Sequence, residues 1–220
     1  MTKSRESAPR PNHHQLQPSA WIERYASLVP AGARVLDLAA GHGRHARLFA
    51  SRGARVLAVD RDREALESVR GVPGIDVRVA DLETGAWPLD GERFDAIVVV
   101  NYLHRALFAP ILDALRDDGA LLYETFAVGN ERCRAAPKGE FRPPGGSAAA
   151  CAASVGESYE RCGRPSNPDF LLRRDELLER VRGRLTVVAF EQGEVRGDRP
   201  AVVQRLAAVG AARSWPPALQ

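Results

Sequence analysis

Val35-Leu-Asp-Leu-Ala-Ala-Gly-His-Gly-Arg-His-Ala46 is the stretch that decides the fold. Arg34 to Leu38 is a short apolar run with Asp37 inside it, the pattern of a buried parallel strand. The run breaks into a loop holding Gly41 and Gly43. A helical pattern then follows through Ala46, Leu48, Phe49 and Ala50, with Gly53 as its stop. Strand, glycine turn and helix bring backbone close to a nucleotide and turn helix N–H groups toward it.

A G-x-G turn is common in α/β proteins, so its surroundings matter. A second strand, Arg55-Val-Leu-Ala-Val-Asp60, ends in an acid about twenty residues after the turn, where a carboxylate accepts hydrogen bonds from ribose hydroxyls. A third, Ile75 to Ala80, runs into Asp81. Three successive strands with an acid at or near the same end form a specific arrangement.

With these residues in place the chain resembles the class I S-adenosylmethionine-dependent methyltransferases. Their D-x-G-x-G-x-G motif stands here as Asp37-Leu-Ala39-Ala-Gly41-His-Gly43, with Ala39 in the first glycine place. The resemblance covers Trp21 to Phe126 and resumes from Arg164 to Val209. It implies an α/β, Rossmann-like, doubly wound seven-stranded sheet, mostly parallel with the last strand antiparallel. It also implies S-adenosylmethionine as cofactor. Asp60, with Arg61 beside it, would take the ribose, Asp81 and Leu82 the adenine, and Asp37 would order the methionine end above Ala39, Gly41 and Gly43. The Gly-His-Gly-Arg loop, the Ala-Asp-Leu motif and the small size are most similar to the tellurite-resistance type.

At 220 residues the chain suits one α/β domain, expected over 19–210. No apolar run approaches a membrane span. The N-terminus lacks the apolar core of a signal peptide, so a cytoplasmic location is expected. The net charge of +3 invites a nucleic-acid partner. However, 29 of the 31 basic residues are arginine, as GC-rich coding produces, and no basic run interleaves with aromatics. A small-molecule acceptor is therefore expected; oligomeric state is not legible. Cys133, Cys151 and Cys162 are an odd set without a C-x-x-C pair, which argues against a disulfide framework or a zinc site. His13-His14 lies in a leader, residues 1–18, expected to be mobile and solvated.

Ser19 reads as the cap of a helix over Ala20 to Leu28, with Trp21 and Tyr25 either touching the cofactor or packing on the sheet. Asp62 caps a helix over Arg63 to Arg70. The strongest strand, Phe94 to Val100, is apolar apart from Asp95 and so covered on both faces. It delivers Asn101, His104 and Arg105 to the edge where cofactors bind in open α/β sheets. Asn101 is expected to position the cofactor's methionine end. His104 is the candidate base for a protonated acceptor, and Arg105, Arg164 and Glu124 are candidate holders of a polar or anionic one. A helix over Leu107 to Leu115, a turn at Arg116 to Gly119 and a fifth strand, Ala120 to Phe126, follow. Residues 132–161 have no periodicity and read as a disordered insertion or lid. A helix over Arg173 to Arg182 and a hairpin of Leu185–Glu191 with Ala201–Ala208 close the domain, with 211–220 as a frayed tail. Asn167-Pro-Asp-Phe170 is set aside as an adenine-N6 methyltransferase box, because it follows the fifth strand rather than the fourth.

Methyl transfer from a sulfonium needs alignment and exclusion of water more than a strong base. Two rivals remain. Gly41-His-Gly-Arg-His-Ala46 also fits the G-x-G-x-x-A motif of an NAD-dependent oxidoreductase, although the acids of the first and third strands are not required there and no Tyr-x-x-x-Lys pair exists. The other is a non-catalytic S-adenosylmethionine-binding regulator, since fold alone does not decide activity.

Overall fold

The computed structural model describes residues 17–132, 165, 167–196 and 200–214. Most of the expected leader and insertion, all three cysteines, Arg164 and residues 215–220 of the expected tail lie outside the described residues.

The sheet is built from β1 (Arg34–Leu38), β2 (Arg55–Asp60), β3 (Ile75–Val79), β4 (Phe94–Val100), β5 (Leu115–Phe126), β6 (Leu185–Val195) and β7 (Ala201–Gly210). Their spatial order is β3-β2-β1-β4-β5-β7-β6. β1 to β5 pair in parallel, and β7 enters antiparallel between β5 and β6. This is the doubly wound seven-stranded sheet with a reversed last strand that the motif resemblance implies.

Strand periodicity explains how both faces are covered. Along β1, Val35 joins Val56, Ala58 and Val98 in one core cluster, with Trp21, Ile22 and Phe49 packed over it. Leu36 and Leu38 point the other way and join Leu57, Val59, Ile97 and Val99, beneath Phe108, Ile111 and Leu177. Apolar residues on both faces are what a central parallel strand requires. The layers come from α1 (Ala20–Arg24) and α2 (Arg44–Ser51) on the first face, and α4 (Phe108–Ala114) and α5 (Glu176–Val181) on the second. α3 (Arg63–Glu67) links β2 to β3.

Several boundaries differ from the sequence reading. The first helix breaks at Tyr25, and Ala26–Leu28 continues as a 3-10 turn. α3 stops at Glu67, three residues short of Arg70, and β3 ends at Val79. α4 is Phe108–Ala114, preceded by a 3-10 turn at Arg105–Leu107. β5 begins at Leu115 rather than Ala120. Phe94 pairs with Leu115 and Ala96 with Ala120, so Arg116–Gly119 is a bulge inside the strand rather than a turn before it. α5 begins at Glu176 rather than Arg173, because Asp175 takes a left-handed conformation (φ 58°) that no helix interior accepts. The hairpin strands run longer than expected, to Val195 and Gly210.

Candidate functional site

Strand order reverses between β1 and β4, so the loops after these strands part and leave a crevice at their C-terminal ends. The glycine loop fills the β1 side. Ala39, Gly41 and Gly43 have φ of 55°, 53° and 66°. Two are glycines, for which this region costs nothing. Ala39 stands there at a cost of about 1 kcal/mol, as expected of an L-residue in that region.

Two acids, Asp37 buried and Asp60 half-buried, pin the loop from opposite ends. Asp60 Oδ2 accepts the Gly41 N–H at 2.7 Å, and its Oδ1 accepts the Asp62 N–H at 2.9 Å. Asp37, 1% exposed, accepts the Ala46 N–H at 2.8 Å and so ties β1 to the first turn of α2. Burial pushes its carboxyl up to about 7, against the opposing pull of the Ala46 amide and Arg44. Such a group takes up negative charge readily once a cation arrives beside it.

Further along the edge, Asp81 accepts the Glu83 N–H at 2.9 Å, which holds its carboxyl below the usual range. Leu82 is buried, Arg61 is exposed, and Trp87 packs half-buried on the second core. The crevice therefore brings together Asp37, Ala39, Gly41, Gly43, Asp60, Arg61, Asp81 and Leu82 along the ends of β1, β2 and β3.

On the β4 side, Asn101 also has positive φ (58°), a conformation asparagine tolerates better than most residues. Its N–H donates to the Glu124 carbonyl at 2.9 Å, and its side chain is exposed. His104 is half-buried, and among the described residues its imidazole has no hydrogen-bond partner. Arg105 departs from its expected role as an acceptor holder. Its Nε and Nη2 grip both Glu176 oxygens at 2.9 Å, while Nη1 and Nη2 donate to the carbonyls of Asp169 and Leu171 at 2.7 and 2.8 Å. Four of about five guanidinium donors are thus spent holding α5 and the segment before it.

Glu124 also has partners. Its Oε2 accepts the Ser19 hydroxyl at 2.7 Å and pairs with Arg205 Nε at 3.1 Å. Ser19 caps α1 as expected and also donates its N–H to His45 Nε2 at 3.2 Å. Burial, reinforced by Arg44, pushes the His45 imidazole down to about 3, so it stays neutral and accepts. Trp21 and Tyr25 are core residues: their rings lie 4.5 Å apart, and Trp21 Nε1 donates to the Leu206 carbonyl. The Ser19–His45–Glu124 cluster and the Glu176 network were not found from sequence. Their partners lie up to 105 residues apart, and no local pattern carries that information.

A cleft of about 200 Å³ opens beyond Asn101, between the ends of β4 and β5, lined by Tyr102, Thr125, Phe126 and Phe170 together with Glu83. Of the residues read from sequence as cofactor-binding, only Asn101 borders it.

Comparison with known proteins agrees with this geometry. Residues 35–119 match the family model described as a methyltransferase domain. Ribosomal RNA small subunit methyltransferase A of Anaeromyxobacter sp. (strain K) is 38% identical over 103 residues, 41% of this chain and 36% of that protein. The chain thus spans about a third of the length of the curated relatives it matches. Among solved structures, TehB from Haemophilus influenzae superposes with a TM-score of 0.60 at 14% identity, over 90% of this chain and 62% of that one. The 1,6-didemethyltoxoflavin-N1-methyltransferase of Burkholderia thailandensis, solved with its substrate and S-adenosylhomocysteine, gives 0.54 at 22% identity, over 87% and 76%. Residues 35–119 thus resemble a methyltransferase domain, and the fold is shared with solved S-adenosylmethionine-dependent methyltransferases, tellurite-resistance-like structures among them. No described helix is long and apolar enough to cross a membrane.

Proposed function

We infer that the protein transfers a methyl group from S-adenosylmethionine to a small-molecule acceptor by in-line displacement. The observation that carries this reading is the glycine loop pinned between Asp37 and Asp60 at the point where strand order reverses. A Cβ added at Gly41 would meet nothing within 4 Å, so the loop has an open face. That room, beside three acids at successive strand ends, fits an adenosyl ligand.

The division of labour follows from the donor set. Asp60 retains free lone pairs for two ribose hydroxyls, since each carboxylate oxygen accepts more than one hydrogen bond. Asp81 and Leu82 border the adenine, with Arg61 at the rim. Asp37 balances the positive charge of the methionine end, and Asn101 orients that end from the β4 side. When bound, S-adenosylmethionine supplies an electrophilic methyl and a neutral leaving thioether. His104, its imidazole without a partner among the described residues, stands on the same edge and assists a protonated acceptor or simply shapes the pocket.

The test is a calorimetric titration with S-adenosylhomocysteine beside NAD. Micromolar binding of the first and none of the second is expected; the reverse, or silence from both, overturns the reading. Two glycine variants sharpen it. Gly41→Ala should cost about 1 kcal/mol of stability yet lose most S-adenosylhomocysteine affinity, because its methyl enters the open face. Gly43→Ala should lose about 3 kcal/mol in urea unfolding, since its Cβ would lie 2.5 Å from Val69 Cγ1. A Gly41→Ala protein that binds normally removes the loop from the cofactor site.

The likeness to a ribosomal RNA methyltransferase favours RNA as the second reading of the acceptor. Transfer of labelled methyl to small-subunit ribosomal RNA would establish it.

A further inference from the structure

We propose that the cleft beside Asn101 receives the methyl acceptor, and that this acceptor is an amine carried on a flat, ring-bearing small molecule. The inference rests on the methyl-transfer reading and adds the substrate class.

Three features of the cleft select that chemistry. The first is the Tyr102 hydroxyl, which is buried and has no hydrogen-bond partner among the described residues. A buried hydroxyl left unpaired costs about 1–3 kcal/mol, which a ligand N–H or lone pair recovers. Burial, together with Glu83 and Asp81, raises this phenol, so it remains an O–H that can both donate and accept. The second is aromatic surface. Phe170 is 44% exposed, one of three large apolar side chains so exposed among the described residues, and it shares the cleft with half-buried Phe126. Ring faces there offer stacking to a flat ligand and attraction to a cation.

Charge is the third. Glu83 supplies a carboxylate, and no arginine, lysine or histidine is among the described lining residues. Of the cations on this edge, Arg105 is committed to Glu176 and two carbonyls, and the pull of Arg61 on the Tyr102 hydroxyl is outweighed by Glu83 and Asp81. An oxyanion entering would meet a like charge, whereas an ammonium or amine meets a partner. In the transfer the acceptor nitrogen forms a bond to the methyl carbon as the carbon–sulfur bond breaks. The electron pair of that bond stays on sulfur, and an acceptor that enters as an ammonium first gives the proton that frees its lone pair to the Glu83 carboxylate or to water.

Tryptamine and indole-3-acetate share a ring and differ in charge, so they test the cleft as a matched pair. Each is titrated calorimetrically into the full chain saturated with S-adenosylhomocysteine, using wild type, Glu83→Gln and Phe170→Ala. Tryptamine should bind about tenfold more tightly than indole-3-acetate, a difference of about 1.4 kcal/mol. Glu83→Gln should erase that preference, and Phe170→Ala should weaken both ligands. Equal or tighter binding of the acid, a preference that survives Glu83→Gln, or no binding of either ligand overturns the proposal. The preceding S-adenosylhomocysteine titration keeps the two failures apart. If that ligand binds and the amine preference is absent, only the acceptor class is wrong; if it does not bind, the methyl-transfer reading falls first.

Discussion

Asp60→Ala should weaken S-adenosylhomocysteine binding about 100-fold, read as a calorimetric Kd. Two charge-assisted hydrogen bonds to ribose hydroxyls at about 1.5 kcal/mol each convert to that factor. The variant also loses the acceptor of the Gly41 N–H, so the loop is less ordered before the ligand arrives. Asp60→Asn separates the effects. Its amide oxygen can still accept from Gly41, while the charge is gone, so an intermediate loss of about tenfold is expected, one hydrogen bond's share of the effect. Unchanged affinity in Asp60→Ala would show that the ribose lies elsewhere.

The largest effect on stability is expected at Glu176. This carboxylate is 0% exposed and meets Arg105 and Arg180 at 2.9 and 3.0 Å, with the Arg173 N–H at 2.9 Å. Burial alone would raise its carboxyl, but the hydrogen bonds from Arg105, the Arg173 amide and Arg180 outweigh burial and draw it down to about 2. Glu176→Ala should cost about 3 kcal/mol, seen as a lower urea midpoint with an unchanged slope. The arginines keep some solvent access, which holds the loss below that of a wholly enclosed pair.

The same residue gives a pH signature. Its folded value lies below its ordinary one, so its contribution is complete above about pH 4.5 and is lost as pH falls toward 2. Wild-type stability should therefore drop through that window, and Glu176→Gln should flatten the drop. A Glu176→Gln protein with the same acid profile would remove the network from the account.

The fold was legible because its signals are local. Phe94 to Val100 is apolar apart from Asp95 and bounded by polar residues, and the β1-to-α2 turn carries its own glycines. Asp60 could be placed at a strand tip because a run of four buried residues precedes it. What escaped was set by partners distant in sequence. Arg105 follows β4 among polar residues and has the position of a functional side chain, yet Glu176, 71 residues later, claims it. Likewise Arg116–Gly119 has turn composition, but pairing of Leu115 with Phe94 draws the stretch into the strand. Tyr102 gave no signal at all, since an unpaired hydroxyl is a property of its packed surroundings.

The antiparallel entry of β7 between β5 and β6 also sets a sequence of events during synthesis. β6 leaves the ribosome before the strand that joins it to the sheet, and until β7 follows it has no neighbour in the parallel body. α1 waits as long. The Trp21 indole reaches its acceptor at Leu206, 185 residues downstream, only when β7 is in place. A nascent chain halted in the β6–β7 connection would thus expose the flank of β5 and leave the Trp21 indole without its acceptor. Such unpaired strand edges are where partly made chains associate wrongly. The final ten-residue strand therefore closes the sheet and docks the helix at the opposite end of the chain in one event.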